Sequence, residues 1–154
     1  MKQYFDKSFT KVAVLGSGTM GGQIAAHFAN QGIEVTMFDM SQEALNASLQ
    51  TMKKLKPTPL ALPTILETIK TATYDSLELL SECDFILESI VENLDIKKQL
   101  FAKITPFVKD DAILVTNTSG LSINTIAEHA PEKLRSRIFG VHFFNPPRYL
   151  PLVE

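Results

Sequence analysis

The feature that most constrains this chain is a glycine-rich turn that joins two patterns of different periodicity. Residues 11–15 (KVAVL) form a short, β-branched run typical of a strand, and residues 20–30 have the pattern of a helix. Between them lies GSGTMG, in which Gly16, Gly18 and Gly21 have the spacing GxGxxG. A glycine turn at such a junction indicates a βαβ unit that holds a dinucleotide, although other α/β proteins also contain glycine-rich turns.

Each glycine of this turn has its own physical task. Gly16 allows the tight turn, Gly18 lets the backbone approach a pyrophosphate, and Gly21 lets helix and strand pack closely. Thr19 and Met20 lie in the same turn, where free N–H groups and the helix dipole attract a diphosphate. We therefore expect all five residues to contact the cofactor or to shape its site.

A carboxylate at the end of the next strand supports the same interpretation. Residues 34–38 (EVTMF) predict a second strand, and Asp39 follows it directly. At that position a carboxylate can accept hydrogen bonds from both adenine-ribose hydroxyls and repel a 2′-phosphate, which favours NAD over NADP. The alternative is that Asp39 only caps the helix that begins in SQEAL.

Strand and helix patterns alternate along the rest of the chain. We predict a helix capped by Ser41, a proline-braced loop at 57–63, helices at 62–70, 94–104 and 123–129, and strands at 84–90, 113–116 and 138–142. The predicted fold is therefore α/β, a Rossmann-type doubly wound, mostly parallel sheet with helices on both faces. It would occupy residues 11–154, after an N-terminal extension of residues 1–10. Ligands of such sheets bind beyond the carboxyl ends of the strands.

Composition limits the possible partners. The 154 residues are 45% hydrophobic and 21% charged, which suffices for a buried core, and the net charge of −2 argues against binding to nucleic acid or to an anionic membrane. Cys83 is the only cysteine, and the first ten residues lack the apolar core of a signal peptide. We expect a cytoplasmic protein without a metal site.

One histidine has a position suited to proton transfer. His142 follows the last predicted strand, in GVHFFNPPRYLPLVE, so its ring should face the ligand crevice. Oxidation of a secondary alcohol needs a base for the hydroxyl proton, and Glu154 is the candidate carboxylate partner. From spacing alone, a histidine at a strand end is more often a structural residue than a catalytic one.

Four segments in this order, GSGTMGGQIA, ESIVENLDIKKQLF, NTSGLS and HFFNPPRYLPLVE, resemble the N-terminal domain of the 3-hydroxyacyl-CoA dehydrogenase family. The resemblance covers nearly the whole chain after residue 10, and HFFNP with the downstream LVE is its most specific part. KKLKPTPL together with HFFNPPRYL resembles a bacterial subgroup in which an enoyl-CoA hydratase domain follows the dehydrogenase.

This resemblance implies NAD-dependent oxidation of an L-3-hydroxyacyl-CoA to a 3-oxoacyl-CoA, as in fatty-acid β-oxidation. It makes His142 the catalytic base and Glu154 its carboxylate partner. It also implies that Ser119, in NTSG, hydrogen-bonds the substrate 3-oxygen near the nicotinamide.

The resemblance further places Glu92, Lys97 and Asn145 on the nicotinamide-ribose side of the cofactor. From the residues alone, Glu92 and Lys97 would be interpreted as solvated charges at the start of a helix.

The family has a second, all-helical domain that this chain lacks and that supplies much of the acyl-CoA site and of the contact between subunits. We therefore expect the full protein to be a homo-oligomer and this fragment to bind NAD but turn over poorly. Glu154, next to a chain end, is expected to be mobile. Two alternatives are a related 3-hydroxyacid dehydrogenase and a non-catalytic NAD-binding module.

Overall fold

A six-stranded, parallel sheet runs through the middle of the molecule. The computed structural model describes residues 9–154, so most of the predicted N-terminal extension lies outside the described residues. The strands are β1 (Lys11–Leu15), β2 (Glu34–Asp39), β3 (Ile69–Thr73), β4 (Phe85–Glu88), β5 (Ile113–Thr116) and β6 (Ile138–Gly140). They lie in the order β3-β2-β1-β4-β5-β6, and each neighbouring pair is parallel. This order confirms the predicted Rossmann-type fold, whose crevice lies where β1 meets β4.

Helical crossovers connect the strands. They are α1 (Thr19–Asn30), α2 (Gln42–Lys54), α3 (Leu94–Ile104), α4 (Ile123–His129) and α5 (Glu132–Arg135), with 3-10 turns at Pro63–Thr68, Leu77–Glu82 and Thr105–Phe107. Ser41 caps α2 as predicted, because its side-chain oxygen accepts a hydrogen bond from the Ala44 N–H. No helix within residues 9–154 is both long and apolar enough to cross a membrane.

The strand residues alternate between two cores, one on each face of the sheet. On one face, Val12 and Val14 of β1 pack with residues of α1 and α2 such as Ile24 and Leu45. On the other face, the intervening strand positions belong to a cluster with residues of α3 and α4. Both faces are therefore apolar, which is why the strands appear in the sequence as continuous hydrophobic runs.

The edge strand β3 corrects the sequence prediction. We expected a helix over residues 62–70, but only Pro63–Thr68 forms a 3-10 turn, and Ile69–Thr73 pairs in parallel with β2. The segment IKTAT is rich in β-branched residues and only partly buried, as expected for an edge strand. Its short, mixed pattern was too weak to indicate a strand until the neighbouring strand was in place.

Candidate active site

The glycine turn is shaped by backbone packing at two of its three glycines. Gly16 has a φ of 101°, and a Cβ there would lie 2.5 Å from the Ser89 carbonyl oxygen. A Cβ on Gly21 would lie 1.9 Å from the Gly16 carbonyl oxygen. At Gly18, however, a Cβ would meet nothing within 4 Å. The protein's own packing thus requires Gly16 and Gly21, whereas Gly18 faces open space.

The start of α1 is suited to an anion. Gly18 is the N-cap residue, and among the described residues no side chain caps the helix and no acidic residue occupies its first turn. The first backbone N–H groups of a helix have no acceptor within the helix, and the helix dipole makes this end positive. These N–H groups are therefore available to the diphosphate of a dinucleotide.

Asp39 faces the glycine turn rather than the next helix. One of its carboxylate oxygens accepts hydrogen bonds from the Ser17 N–H (2.7 Å) and the Ser17 hydroxyl (2.5 Å). Its other oxygen accepts from the Met40 N–H at 2.7 Å. Because Ser41 caps α2, the alternative role of Asp39 as a helix cap is not needed. Ser17, which anchors Asp39, was not identified from the sequence.

Two cavities meet at Gly18 along the carboxyl ends of β1 and β4. The first measures about 600 Å³ and is mainly apolar; it is lined by Gly16, Gly18, Asp39, Met40, Tyr74, Ser89, Ile90, Val91, Ile96, Gln99, Leu100 and Lys103. The second measures about 340 Å³ and is lined by Gly18, Thr19, Met20, Ser89, Ile90, Val91, Glu92, Asn117 and Ser119. The cleft therefore extends to both sides of the glycine turn, with Asp39 on one side and Glu92 and Ser119 on the other.

His142 and Glu154 come together after β6. The Nδ1 atom of His142 lies 3.8 Å from a carboxylate oxygen of Glu154, within ion-pair range. Their backbones also form two hydrogen bonds, His142 N–H to Glu154 C=O (2.6 Å) and Glu154 N–H to His142 C=O (3.0 Å), next to a bridge between Phe143 and Val153. Although we expected Glu154 to be mobile, its backbone is anchored to the segment that carries the histidine.

The HFFN segment is linked to both sides of the second cavity. The Phe143 N–H donates to the side-chain oxygen of Asn117, which lines that cavity. The side-chain oxygen of Asn145 accepts from Gln23 Nε2 of α1 at 3.1 Å, and the same Nε2 donates to the Thr19 carbonyl. Gln23 was not identified from the sequence, because its contact with Asn145 exists only in the folded chain.

Glu92 organises the turn that carries Ser119. One carboxylate oxygen of Glu92 accepts hydrogen bonds from the Thr118 hydroxyl, the Ser119 N–H (2.9 Å) and the Gly120 N–H (2.8 Å). Burial would raise the pKa of Glu92, but these hydrogen bonds and the charge of Lys97 outweigh it and hold the pKa at about 2. Glu92 is thus an anion that fixes one wall of the second cavity.

Lys97 is not a solvated charge, which corrects our interpretation from the residues alone. Its side chain is 1% exposed, and its Nζ lies 2.6 Å from Glu88 and 3.5 Å from Glu92. Lys97 does not line either cavity described above and instead lies behind the Glu92 wall. Glu88, which is fully buried, was missed, although a glutamate inside the apolar run DFILESI is itself a signal that a partner is required.

Comparison with known proteins gives consistent matches. Residues 11–154 match the family model described as the NAD-binding domain of 3-hydroxyacyl-CoA dehydrogenase. A protein of Rickettsia felis named as a fatty acid oxidation complex trifunctional enzyme is 40% identical over 152 residues, covering 94% of this chain and 21% of the relative. A protein of Bacillus subtilis named as a 3-hydroxyacyl-CoA dehydrogenase is 39% identical over 170 residues, covering 96% and 22%. The chain thus spans about a fifth of the length of these two relatives.

Solved structures show the same relationship. The 3-hydroxybutyryl-CoA dehydrogenase of Escherichia coli K12 superposes with a TM-score of 0.80 and 32% identity, over 96% of this chain and 32% of that one. A 3-hydroxyacyl-CoA dehydrogenase of Archaeoglobus fulgidus superposes with a TM-score of 0.78 and 33% identity, over 94% of this chain and 45% of that one.

Proposed function

The chain belongs to the family of 3-hydroxyacyl-CoA dehydrogenase NAD-binding domains, and from that premise we propose that it is the cofactor-binding part of an enzyme that oxidises an L-3-hydroxyacyl-CoA. The observation that carries the proposal is the approach of His142 to Glu154 at the end of β6, in a segment tied through Asn117 to a cleft that fits a dinucleotide. The names of the relatives support the substrate class.

The adenosine and diphosphate parts of NAD would be held by the first βαβ unit. The carboxylate of Asp39 accepts hydrogen bonds from the ribose hydroxyls, and its charge rejects a 2′-phosphate. The N–H groups at Gly18, Thr19 and Met20 bind the diphosphate, because the open space at Gly18 lets it approach the backbone.

The nicotinamide half would bind in the second cavity, beside Ser119, Glu92 and Asn145. Of these residues, Ser119 and Glu92 line the cavity. The hydrogen bond from Gln23 orients Asn145 toward the start of α1. Lys97 would not contact the cofactor; it would influence the site through its ion pair with Glu92. Held there, NAD would supply the acceptor for the hydride from C3 of the substrate.

In this mechanism His142 takes the proton of the 3-hydroxyl group. Its Nδ1 faces Glu154, so Nε2 is the atom that receives the proton. The carboxylate of Glu154 orients the ring and stabilises the imidazolium that forms. The Ser119 hydroxyl donates a hydrogen bond to the same substrate oxygen, which keeps that oxygen close to the base.

We further propose that this domain works within a larger, homo-oligomeric protein of the cytoplasm. The relatives' greater length supports the presence of further domains, including the helical domain that completes the acyl-CoA site. The name of the Rickettsia felis relative, a trifunctional enzyme of a fatty acid oxidation complex, supports a protein with more than one activity. We propose that a fused enoyl-CoA hydratase is among its further domains.

The cofactor assignment is tested by calorimetric titration of the native chain with NADH and NADPH. We expect NADH to bind and NADPH to bind at least about tenfold more weakly, since Asp39 repels the additional phosphate. Absence of NADH binding at millimolar concentration would refute the assignment.

The catalytic assignment is tested in the full-length protein by the reduction of acetoacetyl-CoA with NADH. The variant His142→Gln should lower kcat by about 100-fold or more without weakening NADH binding. His129→Gln is the matched control, because His129 is exposed and its Nδ1 lies 2.8 Å from the backbone carbonyl oxygen of Thr125 in its own helix. Undiminished turnover by His142→Gln would refute the assignment of His142 as the base. No turnover by the unsubstituted protein would favour a non-catalytic NAD-binding module, and a preference for free hydroxy acids would favour a related 3-hydroxyacid dehydrogenase.

A further inference from the structure

We propose that Glu88 is a positioning residue for the nicotinamide half of the cofactor, acting through Lys97 and Glu92 on the turn that carries Ser119. The inference rests on the proposed function and adds to it a residue that does not itself line the cofactor cleft. It is based on a network of hydrogen bonds and ion pairs between β4, β5 and α3. The members of this network are Glu88, Thr116, Lys97 and Glu92.

Every hydrogen bond found at the Glu88 carboxylate comes from a group that the fold holds in place. One oxygen accepts from the Ile90 N–H at 2.7 Å and from Lys97 Nζ at 2.6 Å. The other accepts from the Thr116 hydroxyl at 2.5 Å. Both Glu88 and Thr116 are fully buried. These three hydrogen bonds offset the free-energy cost of removing the carboxylate from water, and they hold it in a single orientation.

Lys97 connects Glu88 to Glu92 at the edge of the cleft. Its ammonium group is held at 2.6 Å by Glu88 and lies 3.5 Å from the second carboxylate oxygen of Glu92. The first oxygen of Glu92 accepts hydrogen bonds from the Thr118 hydroxyl and from the N–H groups of Ser119 and Gly120. The position of the Ser119 turn therefore depends, through two charged contacts, on Glu88.

The charged path from Glu88 through Lys97 reaches one side of the glycine turn, because Glu92 and Ser119 line the second cavity and not the first. Ile90, whose backbone N–H donates to Glu88, lines both cavities, so the test must leave that hydrogen bond in place. A purely structural role for Glu88 would affect both cavities equally, because unfolding removes both. A positioning role affects the nicotinamide half alone.

The experiment compares NADH with ADP, which lacks the nicotinamide and its ribose, by titration calorimetry of the native chain and of Glu88→Gln. Glutamine keeps the shape and the acceptor for Ile90 but removes the charge opposite Lys97. We expect the Kd for NADH to rise about tenfold or more and the Kd for ADP to stay within about twofold. Equal weakening of both ligands, or no change in either, would overturn the inference.

Two further variants separate positioning from folding. Thr116→Val removes the hydroxyl that donates to Glu88 and that also accepts from the Thr118 N–H of the Ser119 turn. It should therefore shift the NADH affinity in the same direction, and it also serves if Glu88→Gln fails to fold. Glu88→Gln combined with Lys97→Met removes the buried ammonium that has lost its 2.6 Å partner, so stability should recover while the NADH affinity stays low. Recovery of both would show that Glu88 acts only through stability.

The control is Ile126→Val, a core change in α4 that lies outside the network. It should lower the urea concentration at the midpoint of unfolding and leave the ratio of the two affinities unchanged. If the native chain binds ADP but not NADH, the proposed function fails and this inference fails with it. Normal NADH binding by both the native chain and Glu88→Gln would refute the inference alone.

Discussion

Replacement of Gly18 by alanine should separate cofactor binding from folding. A Cβ at this position meets nothing within 4 Å, and the backbone angles, φ −61° and ψ −172°, are open to alanine. The substitution lowers the conformational entropy of the unfolded chain, which raises the free energy of unfolding by about 0.4–1 kcal/mol. Because alanine is a poorer N-cap residue than glycine, the substitution also lowers the free energy of unfolding by a similar amount. We therefore expect the free energy of unfolding to change by less than about 0.5 kcal/mol.

The cofactor affinity should respond differently. The new methyl group would occupy the space through which a diphosphate approaches the start of α1. Displacing the ligand by such a group costs about 1–3 kcal/mol, which corresponds to an increase in Kd of about tenfold to 100-fold. Urea denaturation measures the first quantity, and calorimetric titration with NADH measures the second.

Two other glycines provide the controls. Gly21→Ala places a Cβ 1.9 Å from the Gly16 carbonyl oxygen, so α1 must move away from β1 and stability should fall by about 3 kcal/mol or more. Gly32→Ala lies in open space but at a φ of 76°, so it should cost about 1–2 kcal/mol without changing the Kd for NADH. If Gly18→Ala destabilises the chain as much as Gly21→Ala, or binds NADH like the native chain, the assignment of open space at Gly18 to the diphosphate is wrong.

Three further predictions concern residues to which no catalytic or cofactor-binding role is assigned. Burial would raise the pKa of Asp84, but hydrogen bonds from Lys109 and Thr10 lower it well below its ordinary value. Asp84→Asn should therefore lower the free energy of unfolding by about 2 kcal/mol near pH 7. Urea denaturation should show that the difference between this variant and the native chain becomes smaller as the pH falls below about 4. The buried Tyr74 hydroxyl has no hydrogen-bond partner within residues 9–154, so Tyr74→Phe should raise the free energy of unfolding by about 1 kcal/mol; a loss would reveal a hidden partner. Burial raises the pKa of the Cys83 thiol to about 11, so at about pH 8 it should react with a disulfide reagent only after denaturation, and rapid labelling of the native chain would contradict its burial.

Most of the fold could be predicted from the sequence because its signals are local. The run KVAVL, the glycine spacing and the helix after it already specify a strand, a turn and a helix, and the structure has them at Lys11–Leu15 and Thr19–Asn30. The strands buried on both faces appear as continuous apolar segments, which identified β4 and β5. The edge strand β3 lacks such a signal, and it was mistaken for the end of a helix.

The candidate site was predictable only in part. Gly16, Gly18 and Asp39 follow from spacing and position, since the carboxyl ends of parallel strands meet at one edge of the sheet. His142 and Glu154 were proposed as a pair, and the structure brings their side chains to 3.8 Å. Their roles, like those of the other site residues, stay predictions.

The sequence by itself determined the features that depend on neighbouring residues. These are the turn GSGTMG, the strand before it, the helix after it and the aspartate that ends the next strand. Only the tertiary structure decided which polar groups are buried together. Lys97 was indistinguishable from a solvated charge, and the partner that Glu88 requires could not be identified, until α3 packed on β4 and removed both residues from water. A charge is stabilised or destabilised by groups that are near in space but distant in the chain, and folding alone determines that proximity.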